Sequence, residues 1–170
     1  MEAFMCVILE QEDSPIWNEE KRDLLAAFPG RFTVAVDCDN SRLEQPIGGS
    51  WHWYRVLRDG AFCGFAWWGT LSDGRAELEI CLRVQGQGVG TEVLRQLELE
   101  AAKLGISRFE GVVRAENPDA RRVVSWLQSH GFSVHLPGVG WTVEAALRAG
   151  QNISVSKDIS KPVAGSQQRH

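Results

Sequence analysis

The chain has 170 residues, of which 44% are hydrophobic and 24% charged, a balance typical of one globular domain that builds its own core. Its net charge of -4 argues against a nucleic-acid partner, because such binding relies on clustered lysine and arginine. The apolar run at residues 3–9 is too short to span a membrane, and no basic residues precede it. We therefore expect neither a membrane anchor nor a secretion signal.

Four cysteines occur far apart in the sequence. No two form a CxxC pair, the spacing that zinc knuckles and thioredoxin-like motifs require. We therefore expect isolated buried thiols, no metal and a reduced, cytoplasmic protein. The cysteines are Cys6, Cys38, Cys63 and Cys81.

The first part of the chain alternates strand and helix patterns. Residues 3–10 are predicted as a strand. A helix is predicted over residues 13–28, because a capping Asp-Ser pair and a proline stand at its start and Pro-Gly follows its end. Residues 31–37 alternate like a strand, and residues 38–50 have the Asn, Pro and Gly content of a loop. The apolar face of the helix would contain Ile16, Leu24, Leu25 and Phe28.

A three-stranded meander follows. We predict strands over residues 51–57, 61–71 and 76–84, joined by turns at residues 58–60 and 72–74. Both turns contain Asp-Gly, the strongest short-range hairpin signal. The three strands should therefore pair antiparallel.

Helical periodicity begins after the meander, with a predicted helix that ends at Gly105, where a left-handed residue belongs. A strand is predicted over residues 106–114. In the next helix Asn117 is the predicted N-cap, Pro118 takes the first position and Gly131 follows the end. The buried stripes would be Val89, Val93, Leu94, Leu97, Ala101 and Leu104 in the first helix, and Ala120, Val123, Val124 and Leu127 in the second.

The remaining patterns predict a strand over residues 132–135, a short helix over 141–148 and a strand over 153–157. The polar tail from about Pro162 is expected to be disordered. We find no internal repeat. One domain over residues 1–160, with a tail over 161–170, is the predicted organisation.

A glycine-rich turn between the third meander strand and the following helix is the most informative segment. Alternating glycines let the backbone turn sharply and approach a ligand closely. The first N–H groups of the helix have no partner within it and, with the helix dipole, form an anion site suited to a pyrophosphate. A tight turn without a ligand is the alternative. The segment is Gln85, Gly86, Gln87, Gly88, Val89 and Gly90.

The residue identities in this segment exclude two other phosphate-binding motifs. A Walker A loop needs Gly-Lys followed by Ser or Thr, and none is present. The dinucleotide fingerprint needs a third glycine where this chain has Thr91.

The pattern Gln-x-x-Gly-x-Gly at residues 85–90 resembles the first motif of the GNAT acetyltransferase superfamily. Residues 117–132, an Asn-Pro-Asp-Ala start and a His-Gly-Phe end, look like its second motif. The element order matches over roughly residues 3–157. The resemblance implies an α/β fold whose mixed, mostly antiparallel central sheet is splayed in the middle and flanked by helices.

The resemblance also implies acetyl-CoA as co-substrate, with its pantetheine arm between the strands over residues 76–84 and 106–114. Backbone groups of Cys81, Leu82 and Val84 would face the pantetheine amides, the turn would hold the pyrophosphate, and Asn117 would lie near the thioester. Arg121 and Arg122 would reach the phosphates or occupy an exposed helix face.

Glu77 and Glu79 are candidate general bases for acetyl transfer to an amine. They stand two apart on one strand, so their side chains share a face. A lysine-like amine has a pKa of about 10.4, so a base helps it to react at neutral pH. Glu79 would be nearer the thioester that the resemblance implies. A solvated or ion-paired strand face is the alternative.

The other catalytic groups are less marked. A backbone N–H of Cys81 or Leu82 would polarise the carbonyl oxygen. Many relatives carry a tyrosine on the second-motif helix as proton donor, but Ser125 and Trp126 occupy that region here. Ser125 is the candidate donor to the leaving thiolate, with solvent as the alternative. We assign no function to His52, His130 or His135.

Five aromatic residues lie on two neighbouring predicted strands. Adjacent aromatics point to opposite faces, so we expect some of them outside the core. They would form the wall of an acceptor pocket, or a core together with a protein interface. They are Trp51, Trp53, Tyr54, Trp67 and Trp68.

The sequence thus predicts an acetyl-CoA-dependent N-acetyltransferase whose acceptor is a small-molecule or peptide amine. A catalytically silent acyl-CoA-binding sensor or assembly module is the second interpretation, and a structural module without cofactor is a third. Acceptor, acyl-chain preference and oligomeric state stay open, a homodimer included.

Overall fold

A computed structural model describes residues 4–32 and 42–159. Its centre is a seven-stranded sheet in the order β1-β2-β3-β4-β5-β7-β6. The strands are β1 (Val7–Gln11), β2 (Trp51–Arg58), β3 (Ala61–Ser72), β4 (Arg75–Leu82), β5 (Arg108–Val113), β6 (Ser133–His135) and β7 (Ile153–Asp158). The helices are α1 (Glu19–Ala26), α2 (Val89–Lys103), α3 (Ala120–Ser129) and α4 (Val143–Arg148). The predicted fold class is confirmed.

The β2–β3–β4 meander forms as predicted, through two tight turns. Asp59 and Gly60 both have positive φ, 50° and 82°, as a two-residue hairpin turn that matches the strand twist requires. At the second turn Gly74 has φ 71°. Its carbonyl oxygen accepts hydrogen bonds from the backbone N–H groups of Ser107 and Arg108, which fixes the start of β5 beside β4.

β4 and β5 are neighbours only at their first residues. They pair in parallel from Arg75–Glu77 to Arg108–Glu110 and then separate, whereas every other neighbouring pair of strands in the sheet is antiparallel. The splayed sheet expected from the sequence is therefore present. The strands leave a gap whose walls carry backbone groups without a ladder partner.

Both faces of the meander are covered. Trp53 and Trp67 stack at 4.3 Å on the face that α1 covers. On the α2 face, the Trp68 indole donates a 3.3 Å hydrogen bond to the hydroxyl of Tyr54. None of these four is more than 3% exposed, and Trp51 is half-buried. The expectation that some lie outside the core is wrong for these four, because the sheet is buried on two sides.

The first helix begins later than predicted. It starts at Glu19, with Asn18 as N-cap, whose side-chain oxygen accepts a hydrogen bond from the Lys21 N–H. The preceding residues are extended, because Trp17 exchanges backbone hydrogen bonds with Gln45 and Glu44. Tertiary pairing therefore overrides the Asp-Ser-Pro signal at residues 13–15.

A buried lysine fixes α1 on the sheet. The ammonium of Lys21 donates 2.8 Å hydrogen bonds to Glu12 and to the carbonyl oxygen of Ile16. It also lies 5.2 Å and 5.1 Å from the ring centroids of Trp53 and Phe65. The side chain has no solvent exposure, so its charge is balanced entirely by these contacts.

Three smaller expectations are corrected. Leu104 is 60% exposed, because α2 ends one residue before it. α3 begins at Ala120, and the Asn117 side chain instead closes the turn before it by accepting a hydrogen bond from the Asp119 N–H. Cys6 is exposed, whereas Cys63 and Cys81 are buried.

Other predictions fall on residues that the structure does not describe. They are residues 33–37 of the predicted second strand, Cys38 with the start of the loop, and the tail over residues 161–170. In residues 4–32 and 42–159, no helix has both the length and the apolar character to cross a membrane.

Gly64 is expected to be essential for the close approach of β3 to β4. A Cβ there would lie 2.2 Å from the carbonyl oxygen of Cys81 and 2.9 Å from the Cα of Leu82. We expect Gly64→Ala to lower the free energy of unfolding by roughly 1–3 kcal/mol or more, measured by urea titration.

Gly48→Ala is the matched control, because a Cβ at Gly48 meets nothing within 4 Å. Its effect should stay within about 1 kcal/mol. Equal stability of the two variants would contradict the close approach.

Candidate active site

A cleft of about 850 Å³, partly open to solvent, lies where β4 and β5 separate. One half is bounded by the end of β4 and by α3, and the other by the segment that follows α1. A cleft at a break in a sheet is a typical place for a ligand site. Its lining includes Phe28, Arg31, Phe32, Glu79, Cys81, Leu82, Gln85, Glu110, Asn117 and Trp126.

The glycine-rich turn begins at the edge of this cleft, where Gln85 is one of the lining residues. Gly86 and Gly88 have φ of 78° and 77°, a left-handed conformation that side chains disfavour. Gly88 is the N-cap of α2 and offers no side chain to the first N–H groups of the helix. These groups stay available to a ligand, so the backbone fits an anion such as a pyrophosphate.

Gly90, the third glycine of the turn, is required for a different reason. A Cβ at Gly90 would lie 3.3 Å from Trp126, so the glycine lets α3 pack closely on the start of α2. His130 strengthens this contact, since its Nε2 is 2.9 Å from the hydroxyl of Thr91 and its Nδ1 is 2.8 Å from the carbonyl oxygen of Trp126. His130 therefore joins α3 to the start of α2, beside the half of the cleft that α3 bounds.

Two arginines hold the glutamines of the turn. Arg58 donates a hydrogen bond to the side-chain oxygen of Gln87, and Arg122 donates one to that of Gln85. Arg122 is also ion-paired with Asp119 at 3.3 Å. The guanidinium groups therefore lie beside the loop, where they add positive potential to the anion site.

Asn117 lies in the turn before α3 and lines the cleft. It is buried, and its side-chain oxygen is used by the turn before α3. Its amide NH2 makes no hydrogen bond within residues 4–32 and 42–159 and borders the cleft. The cleft therefore contains one buried amide donor that a ligand can use.

Glu79 lies at the centre of the cleft with little solvent contact. Burial and the negative charge of Glu77 raise its pKa to about 8, and Trp67 and Arg114 offset part of this shift. The Trp67 indole N–H faces it from the neighbouring strand but makes no well-formed hydrogen bond. A carboxyl group with a pKa near neutrality is suited to proton transfer.

Cys81 is the other titratable group of β4 that lines the cleft. Burial and the charge of Glu79 raise the pKa of its thiol to about 12, against the opposing effect of Arg31. The thiol is therefore protonated at neutral pH and a poor nucleophile.

The acetyltransferase (GNAT) family model matches residues 5–132. The chain belongs to the GNAT acetyltransferase family. A search of the curated proteins finds no relative of this sequence.

Solved GNAT-type structures share the fold of this chain at low identity. An acetyltransferase from Elizabethkingia anophelis, with acetyl-CoA bound, covers 91% of this chain and 97% of its own, at 15% identity and a TM-score of 0.59. A Bacillus subtilis acetyltransferase in complex with CoA covers 89% of this chain and 99% of its own, at 17% identity and a TM-score of 0.59. The match to N-acetylglutamate synthase from Neisseria gonorrhoeae, complexed with CoA and N-acetyl-glutamate, covers 95% of this chain but 36% of that protein. The identity is 14% and the TM-score 0.54.

The remaining predicted residues of this GNAT chain lie around the cleft or outside it. Glu77 is half-buried on the same face as Glu79, beside Glu110 of β5. Ser125 is exposed and does not line the cleft. Within the residues described, the cleft contains no side chain that the sequence had proposed as proton donor.

The other half of the GNAT cleft contains residues that the sequence analysis did not select. Phe28, Arg31 and Phe32 reach it because Gly30, at φ 76°, reverses the chain after α1. A Cβ at Gly30 would lie 3.0 Å from the carbonyl oxygen of Glu116, so this glycine permits a close backbone approach. The Pro-Gly pair that marks the helix end was the available signal.

Each of these three side chains has a partner. Arg31 is ion-paired with Asp119, and its guanidinium lies 4.9 Å from the ring centroid of Phe28. The ring of Phe32 is 5.5 Å from that of Trp67. The aromatic wall of this half of the cleft is therefore made of Phe28 and Phe32, whereas the five aromatics singled out in the sequence do not line the cleft.

The pKa of Glu79 predicts a pH-dependent stability. The folded protein keeps a proton on Glu79 that the unfolded chain releases, so this group's contribution is present below pH 4.5 and is lost as the pH rises through about 8. The free energy of unfolding of the wild type minus that of Glu79→Gln should fall by up to roughly 5 kcal/mol across this window. Urea titrations of the ligand-free proteins would measure it.

Glu19→Gln, at the exposed start of α1, is the control and should show no such trend. A difference between the wild type and Glu79→Gln that stays constant with pH would contradict the raised pKa.

Proposed function

We propose that this GNAT-family protein is an N-acetyltransferase that moves an acetyl group from acetyl-CoA to a primary amine by direct attack on the thioester. One observation carries the proposal: Gln85, the first residue of the glycine-rich turn that leads into α2, and a largely buried carboxyl group, Glu79, line the same cleft. The turn and helix start suit a pyrophosphate, and the carboxyl group suits removal of a proton from an amine.

The half of the cleft bounded by the end of β4 and by α3 fits acetyl-CoA, which supplies the activated acetyl group. We call it the cofactor half. The backbone N–H groups of residues 85–90 would bind the pyrophosphate, where Gly88 leaves space for it. The backbone of Cys81, Leu82 and Val84 would bind the pantetheine arm, since the edge of β4 that faces β5 has no ladder partner beyond Glu77. The Asn117 amide would lie beside the thioester. The acetyl-CoA and CoA complexes of the similar structures support this placement.

Glu79 acts as the general base in the proposed reaction. The acceptor arrives as an ammonium ion and gives a proton to the Glu79 carboxylate. The amine nitrogen then attacks the carbonyl carbon, the C–N bond forms and the C–S bond breaks. A backbone N–H of Cys81 or Leu82 stabilises the developing oxyanion. The nitrogen releases its second proton to solvent, and the thiolate takes a proton from solvent. The protonated thiol of Cys81 favours direct attack over an acyl-enzyme.

We also propose a cytoplasmic location and an amine acceptor of small-molecule or peptide type. The three cysteines that the structure describes are free thiols, as a reducing compartment allows.

A catalytically silent acyl-CoA-binding module is the second candidate. The exposure of Ser125 favours it, because the cleft then has no side chain placed to protonate the thiolate. Incubation with acetyl-CoA, a panel of amines and a thiol-reactive dye separates the two functions. Tight CoA binding without thiol release on any amine would establish the silent module.

Gly88→Asp should weaken CoA binding by about a hundredfold or more, because it places a negative charge at the helix start and removes charge-assisted hydrogen bonds. Isothermal titration calorimetry measures the affinity, and circular dichroism checks the fold. Gly88→Asn is the matched control, since it has the same shape, tolerates positive φ and carries no charge. It should retain more affinity than the Asp variant. Unchanged affinity in Gly88→Asp would refute the site.

Glu79→Gln should lower kcat by about a hundredfold at neutral pH and much less at high pH, where the amine loses its proton unaided. Thiol release measured across a pH series tests this. An acceptor of low pKa is the internal control, because it is already neutral and needs no base. A loss that is uniform with pH would remove Glu79 as the base.

A further inference from the structure

Three carboxyl groups lie together at the inner end of the other half of the cleft, which the segment after α1 bounds. We call it the acceptor half. Glu77 and Glu110 are directly opposite each other in the short parallel pairing of β4 with β5. Glu79 follows on the same face of β4, two residues nearer the cofactor half. Glu79 and Glu110 line the cleft, and Glu77 lies beside them.

Two of these carboxylates have no cationic partner within residues 4–32 and 42–159. Glu110 is paired with Arg75 at 3.3 Å and with Arg108 at 3.5 Å. Glu77 and Glu79 form no ion pair with any described residue. Burial and the neighbouring carboxylates raise the pKa of both, because one negative charge disfavours ionisation of the carboxyl group beside it.

The arginines near the cleft do not supply the missing cation. Arg31 is paired with Asp119, and Arg114 with Glu116 at 3.4 Å. The unpaired charge of the acceptor half is therefore negative. Glu79 makes this more than an acidic surface, because it is buried, faces the cleft and has no well-formed hydrogen bond. A carboxyl group of this kind ionises readily only when a ligand brings a cation beside it.

The space beside these carboxylates is apolar. Phe28 and Phe32 form its wall, and the Phe28 ring already carries the guanidinium of Arg31 on one face. An alkyl chain suits this wall, and charged groups suit Glu77 and Glu79. Two residues along a strand separate these two positions by about 6.6 Å.

We propose that the acceptor is a diamine or polyamine, whose reacting amine lies at Glu79 and whose second ammonium group is held by Glu77 and Glu110. This substrate class rests on the proposed acetyl transfer. The reacting ammonium group gives one proton to Glu79, and the neutral nitrogen then forms the C–N bond. As the C–S bond breaks, the nitrogen releases its second proton and the thiolate takes one up, while the other ammonium group keeps its protons throughout. Its binding supplies the positive charge that favours the carboxylate form of these groups, and it fixes the direction in which the chain enters.

Three acceptors of one chain length test the proposal. Putrescine has an ammonium group at its far end, n-butylamine has a methyl group and γ-aminobutyrate has a carboxylate. Thiol release from acetyl-CoA should give a kcat/KM for putrescine at least about tenfold above that for n-butylamine, the value of one partly buried charge pair. γ-Aminobutyrate should be the poorest of the three.

Glu77→Gln should bring the putrescine to n-butylamine ratio of kcat/KM close to one, mainly through a higher KM for putrescine. Glu144→Gln, which removes one negative charge from α4 outside the cleft, is the matched control and should keep the wild-type ratio. Equal use of putrescine and n-butylamine by the wild type would overturn the diamine proposal and leave acetyl transfer standing. A preference for γ-aminobutyrate would overturn it in favour of carboxylate recognition.

Calorimetry of putrescine with the CoA complex tests the cation site without chemistry. Binding that Glu77→Gln weakens by about tenfold supports the site even if no amine releases thiol, a result that would refute the proposed transfer instead. If putrescine neither reacts nor binds, the cation site is overturned.

Discussion

The separation of β4 from β5 is the constraint on which the rest of the structure depends. Three residue pairs join the strands, held by the hydrogen bonds of Ser107 and Arg108 to Gly74, and then the ladder stops. Backbone groups in the middle of a sheet are left without partners, which is costly in a dry interior. The cleft admits solvent or a ligand to them. The same separation turns Glu79 and Cys81 from core positions into cleft positions.

Such a gap needs rigid surroundings, and the aromatic layers provide them. Stacked Trp53 and Trp67 fill the α1 face, while Tyr54 and Trp68 fill the α2 face. Lys21 fixes α1 through contacts that leave its charge no exposure to water. Close packing on both sides of β2 and β3 resists collapse of the neighbouring gap. Stability is thus concentrated in the meander, and the cleft borders it.

The sequence predicted what depends on local pattern and missed what depends on tertiary contact. Asp-Gly turns, alternation and the Gly-rich helix start were sufficient for the meander and for α2, because their causes lie within a few residues. The start of α1 was wrong, since residues 44–47 pair with the segment that carries Pro15. Arg31 and Phe32 were missed for the same reason, because Gly30 brings them to the cleft through a contact with Glu116 about 86 residues away in the sequence. The base candidate was identified from spacing, but its burial and the separate positions of Ser125 and Glu77 needed coordinates.

The electrostatics of Glu79 connects these features. In the ligand-free protein, burial and Glu77 favour its protonated form. With a pKa of about 8, only a minor fraction of Glu79 is carboxylate, the basic form, at neutral pH. An ammonium group beside it would favour the carboxylate, because an opposite charge lowers a carboxyl pKa. The acceptor would then generate the base that removes its own proton. A cleft without an acceptor would keep Glu79 neutral and avoid an unpaired buried charge, so the same burial that gives the group its reactivity also protects the fold when no substrate is present.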